Sequence, residues 1–228
     1  MKILALETST LTGGIAIADN SLGLIAEVRV NVRIAHAERL MPSVEWLLKA
    51  SGTGIHEIDA FAVSIGPGSF TGLRIGLSTV KGLSYATDKP VVPVPTLDAF
   101  AMSLPFCSYV ICPMLDARKN EVYAALYRWE DNVCRKIMPE AAINPRELLH
   151  RFDGPVVVMG DGAETYRGLI KDVLKDKAVF APASRMSPSA STVAEAAFER
   201  LGQGITADIA TLAPFYVRKS EAEINWKG

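Results

Sequence analysis

Three short stretches combine residue types that can do chemistry. In the first, Glu7-Thr8-Ser9-Thr10, a carboxylate and three hydroxyls close the apolar run Ile3-Leu4-Ala5-Leu6. Such a tip can hold a phosphate, or a divalent ion through water, and it can equally be a capped polar turn. The second, Gly66-Pro67-Gly68-Ser69, leaves the apolar run Ile58–Ile65 and opens a helix with Ser69 as its N-cap. Unpaired amides in the first turn of that helix could receive an anion. Its spacing matches neither GxGxxG nor the Walker glycine–lysine pattern, so the dinucleotide and P-loop readings fail. The third is Asp116-Ala117-Arg118-Lys119-Asn120-Glu121, and Asp161 between Gly160 and Gly162 is a further cleft candidate. No Ser/His or Cys/His arrangement stands out. His36, His56 and His150 lie far apart beside charged or turn residues and read as surface side chains, and HExxH is absent.

These stretches need elements to hold them. Runs at 3–6, 15–18 and 23–32, broken by Gly13-Gly14 and Asp19-Asn20, predict a three-stranded meander. Leu40, Val44, Leu47 and Leu48 recur at helical steps from near His36, an amphipathic helix of about three turns stopped by Gly52 and Gly54. The strand ending at Ile65, the helix to about Thr87 and the strand Val91–Val94 have the composition of a parallel βαβ unit. Within that helix Gly72, Gly76 and Thr79 share a face beside the stripe Leu73, Leu77, Val80 and Leu83. Helical glycine costs about 0.5–1 kcal/mol against alanine. Two of them at i, i+4 call for close approach of another backbone, either the core sheet or a helix of a second chain.

A helix over 96–106 follows. Strand, polar turn and strand then recur at 109–115 and 122–129, roughly 105 residues after the first copy. A buried strand at 156–159, a helix at 164–174, a weaker strand at 178–180 and a last helix at 191–201 complete the pattern. The aromatic tail Pro214-Phe215-Tyr216-Val217-Arg218 is expected to pack down. The order suggests two pseudo-repeated α/β halves.

Composition narrows the classes. The chain has 228 residues, 49% hydrophobic and 21% charged, with 24 Lys plus Arg against 25 Asp plus Glu for a net charge of −1. That is one large domain or two small ones, too apolar for disorder and too neutral to hold nucleic acid by bulk charge. Cys107, Cys112 and Cys134 have no CxxC spacing, which excludes a disulfide framework and a cysteine zinc site and fits a reducing compartment. They read as small buried hydrophobes. With no signal-peptide pattern and no run able to span a bilayer, the expected location is cytoplasmic, without membrane contact.

Leu-Ala-Leu-Glu-Thr-Ser at 4–9, Ile-Asp-Ala-Phe-Ala-Val at 58–63 and Gly-Pro-Gly-Ser-Phe-Thr-Gly-Leu-Arg-Ile-Gly at 66–76 resemble the bacterial TsaB (YeaZ) family. So do Val-Pro-Thr-Leu-Asp-Ala at 94–99, Asp-Ala-Arg-Lys-Asn-Glu-Val-Tyr at 116–123, Gly-Asp-Gly-Ala at 160–163 and Pro-Phe-Tyr-Val-Arg at 214–218. The resemblance implies an α/β chain of the actin-like/Hsp70-like ATPase (ASKHA) fold with two RNase-H-like lobes, at 1–103 and at 104–228, the second degenerate. It implies a non-catalytic scaffold that activates TsaD in forming N6-threonylcarbamoyladenosine at position 37 of tRNAs reading codons that start with A. TsaE, a small P-loop ATPase, is the other expected partner, a second copy of the chain a third, and tRNA is met only through the complex.

The paralog TsaD carries a metal-binding histidine pair in the segment that here reads Val94–Phe100, which has no histidine, so no metal and no catalytic residue is expected. No cofactor is expected on the isolated chain, ATP or ADP entering in the complex with TsaD and TsaE. Glu7, Thr8, Ser9, Asp116 and Asp161 would form a degenerate nucleotide cleft, with Glu7, Thr8 and Ser9 keeping a structural turn. The docking helices would be 36–50 and 69–87, with Leu40, Val44, Leu47, Gly72, Arg74, Gly76 and Val80 at the interface. On that reading Gly72→Leu abolishes TsaD association and leaves the monomer folded. The rivals are a stand-alone structural homodimer and a vestigial ATPase or glycoprotease-like enzyme.

Overall fold

Short apolar runs become strands here, and the Gly and Asx pairs between them become turns. In the computed structural model, which describes residues 1–31 and 36–218 (His36 by its backbone alone), β1 (Lys2–Glu7), β2 (Gly13–Asp19) and β3 (Gly23–Val30) form an antiparallel meander. α1 (His36–Ser51), β4 (Ala60–Gly66), α2 (Phe70–Thr87), β5 (Val91–Pro95) and α3 (Thr96–Met102) follow. β4 runs parallel to β1 and β5 parallel to β4, giving the order β3-β2-β1-β4-β5. Ser69 caps α2 by accepting from Gly72 N, and Asp88, left-handed at φ +57°, ends it.

The second sheet repeats this topology. β6 (Val110–Arg118), β7 (Glu121–Glu130) and β8 (Val133–Ile143) are the meander. α4 (Pro145–Leu149), β9 (Val156–Met159), α5 (Asp161–Thr165), α6 (Arg167–Leu174) and β10 (Ala178–Phe180) come next. Both β9 and β10 are parallel additions, so β8-β7-β6-β9-β10 matches the first sheet strand for strand. β8 is absent from the sequence reading because it is an edge strand with one buried residue, Ile143, and it carries Arg135, Lys136, Pro139 and Glu140. The helix expected at 164–174 is two helices that meet at Tyr166.

The chain divides into two units, Met1–Ala99 with Pro188–Phe215, and Phe100–Ser187 with the segment beginning at Tyr216. The last helix, α7 (Ala190–Gly202), therefore belongs to the first unit, contrary to a split into 1–103 and 104–228, and it packs on β1, β2, β4 and β5. The reason lies in strand alternation. Leu4, Leu6, Ile15, Ile17, Phe61 and Val63 enter a core shared with α1 and α2. Their neighbours Ala5, Ala16, Ala18, Ala60 and Ala62 are turned to the opposite face. That small-residue face admits the buried alanines of α7, with Ala190 Cβ at 3.6 Å from where a β-carbon on Gly14 would lie.

Candidate functional site

The turn after β1 is closed. Glu7 and Thr8 are 0% exposed and Ser9 is 2% exposed. Glu7 Oε1 accepts from Ser9 N at 2.6 Å, and Glu7 Oε2 is hydrogen-bonded to the Ser64 hydroxyl on β4. Burial pushes the Glu7 carboxyl above its ordinary value, against the lowering effect of those hydrogen bonds. Ser9 O accepts from Ser69 N at 2.7 Å, and Ser69 Oγ accepts from Gly72 N at 3.3 Å. Two of the amides at the start of α2, those of Ser69 and Gly72, are thus committed to the chain itself. Thr8 Oγ1 and Ser9 Oγ, buried without a partner among the described residues, are sealed rather than presented. The geometry does not fit a phosphate at Glu7, Thr8 and Ser9; these residues make a structural turn.

The same turn explains the glycines of α2. A β-carbon on Gly72 would overlap Thr8 O, and one on Gly76 would overlap Thr8 Oγ1. The close approach is made within the chain by Thr8 in the turn after β1, by its carbonyl at Gly72 and its hydroxyl at Gly76, so an intermolecular reason for these glycines is corrected. Leu40, Val44, Leu47 and Val80, at 4%, 2%, 1% and 0% exposure, are likewise core residues of the first unit and cannot touch a second chain. A hydrophobic stripe at helical spacing marks the buried side of a helix. Of the seven expected interface residues only Arg74 is exposed.

The outward sides of α1 and α2 carry other residues. Both helices share one core against the same face of the sheet, so their opposite sides both look away from it. Trp46 is 59% exposed, Met41 48% and Tyr85 85%. Gly82 has open space where its β-carbon would be, so nothing among the described residues requires a glycine there. Ala37 of α1 and Thr71, Arg74, Ile75, Ser78 and Thr79 of α2 line an open groove of about 470 Å³. The sequence signal was present: Met41 and Trp46 are large apolar residues off the α1 stripe, among Glu38, Glu45 and Lys49.

In the second unit Asp116 and Asp161 lie together. Asp161 Oδ1 accepts from Asp116 N at 3.0 Å, and burial, with Asp116 close by, raises the Asp161 carboxyl. Asp116 in turn accepts from Arg118 N at 2.9 Å and pairs with Arg118 Nη1 at 3.1 Å. Gly160, at φ +106°, lies so close to Met114 O that a β-carbon would overlap it. The tail is tied down by backbone and by Arg218, while the Phe215 ring itself is 41% exposed. Phe215 N donates to Ile65 O at 2.7 Å, and Arg218 reaches Glu121 Oε2 and Ala117 O at 2.8 Å each.

His56 and His150 are exposed, and Cys112 is buried with its thiol pushed up, whereas Cys107 and Cys134 are only half-buried. The side chain of His36 lies outside the described residues. Among the described residues no group of three His, Cys, Asp or Glu side chains is placed to hold a metal ion. No helix there is long and apolar enough to cross a membrane.

Comparison with known proteins follows this geometry. Residues 29–226 match the family model described as TsaD, tRNA N6-adenosine threonylcarbamoyltransferase. The tRNA threonylcarbamoyladenosine biosynthesis protein TsaB of Bacillus subtilis is 32% identical over 229 residues, covering 99% of this chain and 98% of that one. The solved structure of YeaZ from Pseudomonas aeruginosa superposes with a TM-score of 0.79 at 27% identity, over 94% of this chain and 99% of that one. Component A of (R)-2-hydroxyglutaryl-CoA dehydratase from Acidaminococcus fermentans, at 10% identity and TM-score 0.53 over 89% of this chain and 99% of that one, shares the fold alone. The fold is of the actin-like ATPase kind.

Proposed function

The chain belongs to the TsaB (YeaZ) family, whose named members serve tRNA threonylcarbamoyladenosine biosynthesis, and from that premise we propose that it acts as a docking subunit rather than as the transferase. It holds TsaD in its working conformation through the outward sides of α1 and α2 and helps to bring in TsaE. The modified base is adenosine 37 of tRNAs reading codons that start with A. Nucleotide is held by the assembled complex, since the turn after β1 is spent on internal contacts.

The observation that carries this reading is that Met41 and Trp46 of α1 and Tyr85 of α2, large apolar side chains, are left exposed among the described residues, with Gly82 one turn from Tyr85 on α2. Exposed tryptophan and tyrosine are the residue types that anchor interfaces, and a helical glycine in open space lets a second backbone come close. A stable docking face of this kind buries on the order of 1,200–2,000 Å² in total.

Reconstitution tests the role. Purified TsaD and TsaE with threonylcarbamoyl donor, ATP and unmodified tRNA are expected to modify the tRNA only when this chain is added. Asp116→Asn and Asp161→Asn together should leave that stimulation within about twofold, a change of under ~0.5 kcal/mol. Modification at full rate without the chain, or loss of it in the double variant with docking intact, would refute the docking role.

A further inference from the structure

Glu7 is a carboxyl whose hydrogen-bond partners are all neutral. It is 0% exposed, its contacts are Ser9 N–H and the Ser64 hydroxyl, and it lies on the alanine-lined face that receives α7. Among the described residues the charged groups of α7, Glu195, Glu199 and Arg200, and those of α2, Arg74 and Lys81, make no hydrogen bond to Glu7. The buried residues of α7 are Ala190, Thr192, Val193, Ala194, Ala196 and Ala197, and those of α2 are Gly72, Leu73, Gly76, Leu77, Val80 and Ser84. β4 is Ala-Phe-Ala-Val-Ser-Ile-Gly, without an ionisable side chain. The acid of β2, Asp19, stands opposite Lys2 at the other end of β1 and pairs with the N-terminal ammonium. On β3, Arg29 is the one cation among the described residues whose field reaches Glu7, and its Nη2 donates to Pro188 O at 3.2 Å. Glu27, two residues earlier on β3, takes Ser191 N and Ser191 Oγ at 3.1 Å each.

An ionised carboxylate in such a place is expensive unless paired, so the group keeps its proton instead. We propose that Glu7 is carried as the neutral acid in the folded protein, and that its proton completes the turn on which α2 is seated. The link to α2 is short. Ser9, whose N–H Glu7 fixes, accepts from Ser69 N through its carbonyl, and Thr8 lies under Gly72 and Gly76. Loss of the proton places a charge beneath this seat, and the turn must open to hydrate it.

The test uses the full chain with denaturant unfolding from about pH 5 to about pH 9, wild type against Glu7→Gln. Glutamine can keep both contacts, its carbonyl accepting from Ser9 N–H and its amide donating to Ser64 Oγ. In the unfolded chain Glu7 loses its proton near the ordinary 4.5, while the folded chain retains it. The wild-type folded-to-unfolded ratio should therefore fall relative to Glu7→Gln by up to about tenfold per pH unit, until the folded carboxyl itself ionises. Infrared spectra of protein with isotope-labelled glutamate should show a protonated-carboxyl band at neutral pH. Parallel stability profiles, or no such band, would overturn the proposal; if Glu7→Gln fails to fold, the wild-type band alone decides. TsaD enters neither readout, so failure here and failure of the docking role are separable.

Discussion

The turns after β1 and after β6 occupy the same place in two sheets of the same strand order, yet their surroundings are opposite. The first has Glu7, Thr8 and Ser9 at no more than 2% exposure, closed beneath α2, with the Glu7 carboxyl and the Ser9 carbonyl answered by backbone N–H groups and the Ser64 hydroxyl. The second leaves Arg118, Lys119 and Asn120 exposed, all left-handed at φ +54° to +60°, and meets Asp116 with an exposed arginine and with Asp161. One topology, used twice, supplies a seat for a helix in one unit and an open polar corner in the other. What decides is the residue opposite: Gly72 and Gly76 let α2 come down onto Thr8.

The largest expected effect breaks that seat. Gly72→Ala drives a β-carbon into Thr8 O, and overpacking of this kind costs about 3 kcal/mol. Gly72→Leu should leave no folded first unit, in place of the folded but non-docking monomer expected from sequence. Urea unfolding checks both, and a wild-type midpoint for Gly72→Ala would show that α2 does not rest on the turn after β1. The open corner should respond much less. Asp161→Ala removes the acceptor of Asp116 N and should cost about 1 kcal/mol, most of it recovered by Asp161→Asn, while Arg118→Ala, on an 85% exposed side chain, should leave the midpoint unchanged. Losses equal to that of Gly72→Ala would erase the distinction between the two turns.

Much of the fold was legible because the signals were local. The meander and the βαβ order of the first unit, and the repeat of its opening hairpin, all follow from apolar runs and the glycines that break them. β8 was illegible because an exposed edge strand has no apolar alternation to betray it. The attachment of α7 to the first unit is a long-range fit between alanines on both sides, which spacing along the chain does not encode. The interface list went astray for a physical reason as well. Periodicity finds the face a helix buries, and for Leu40, Val44 and Leu47 the burial partner is the chain's own sheet. The opposite face is marked only by residues out of place, and Trp46 and Gly82 are two of them.

The most direct measurement is calorimetric titration of TsaD with the wild-type chain and with Trp46→Glu and Gly82→Leu, alongside unfolding midpoints for each. Neither position is spent on the core, so both variants should keep the wild-type midpoint. If the outward sides of α1 and α2 dock TsaD, each variant should bind at least about tenfold more weakly, roughly 1.4 kcal/mol. Affinity within about twofold of wild type in both folded variants, under ~0.5 kcal/mol, would contradict the docking face.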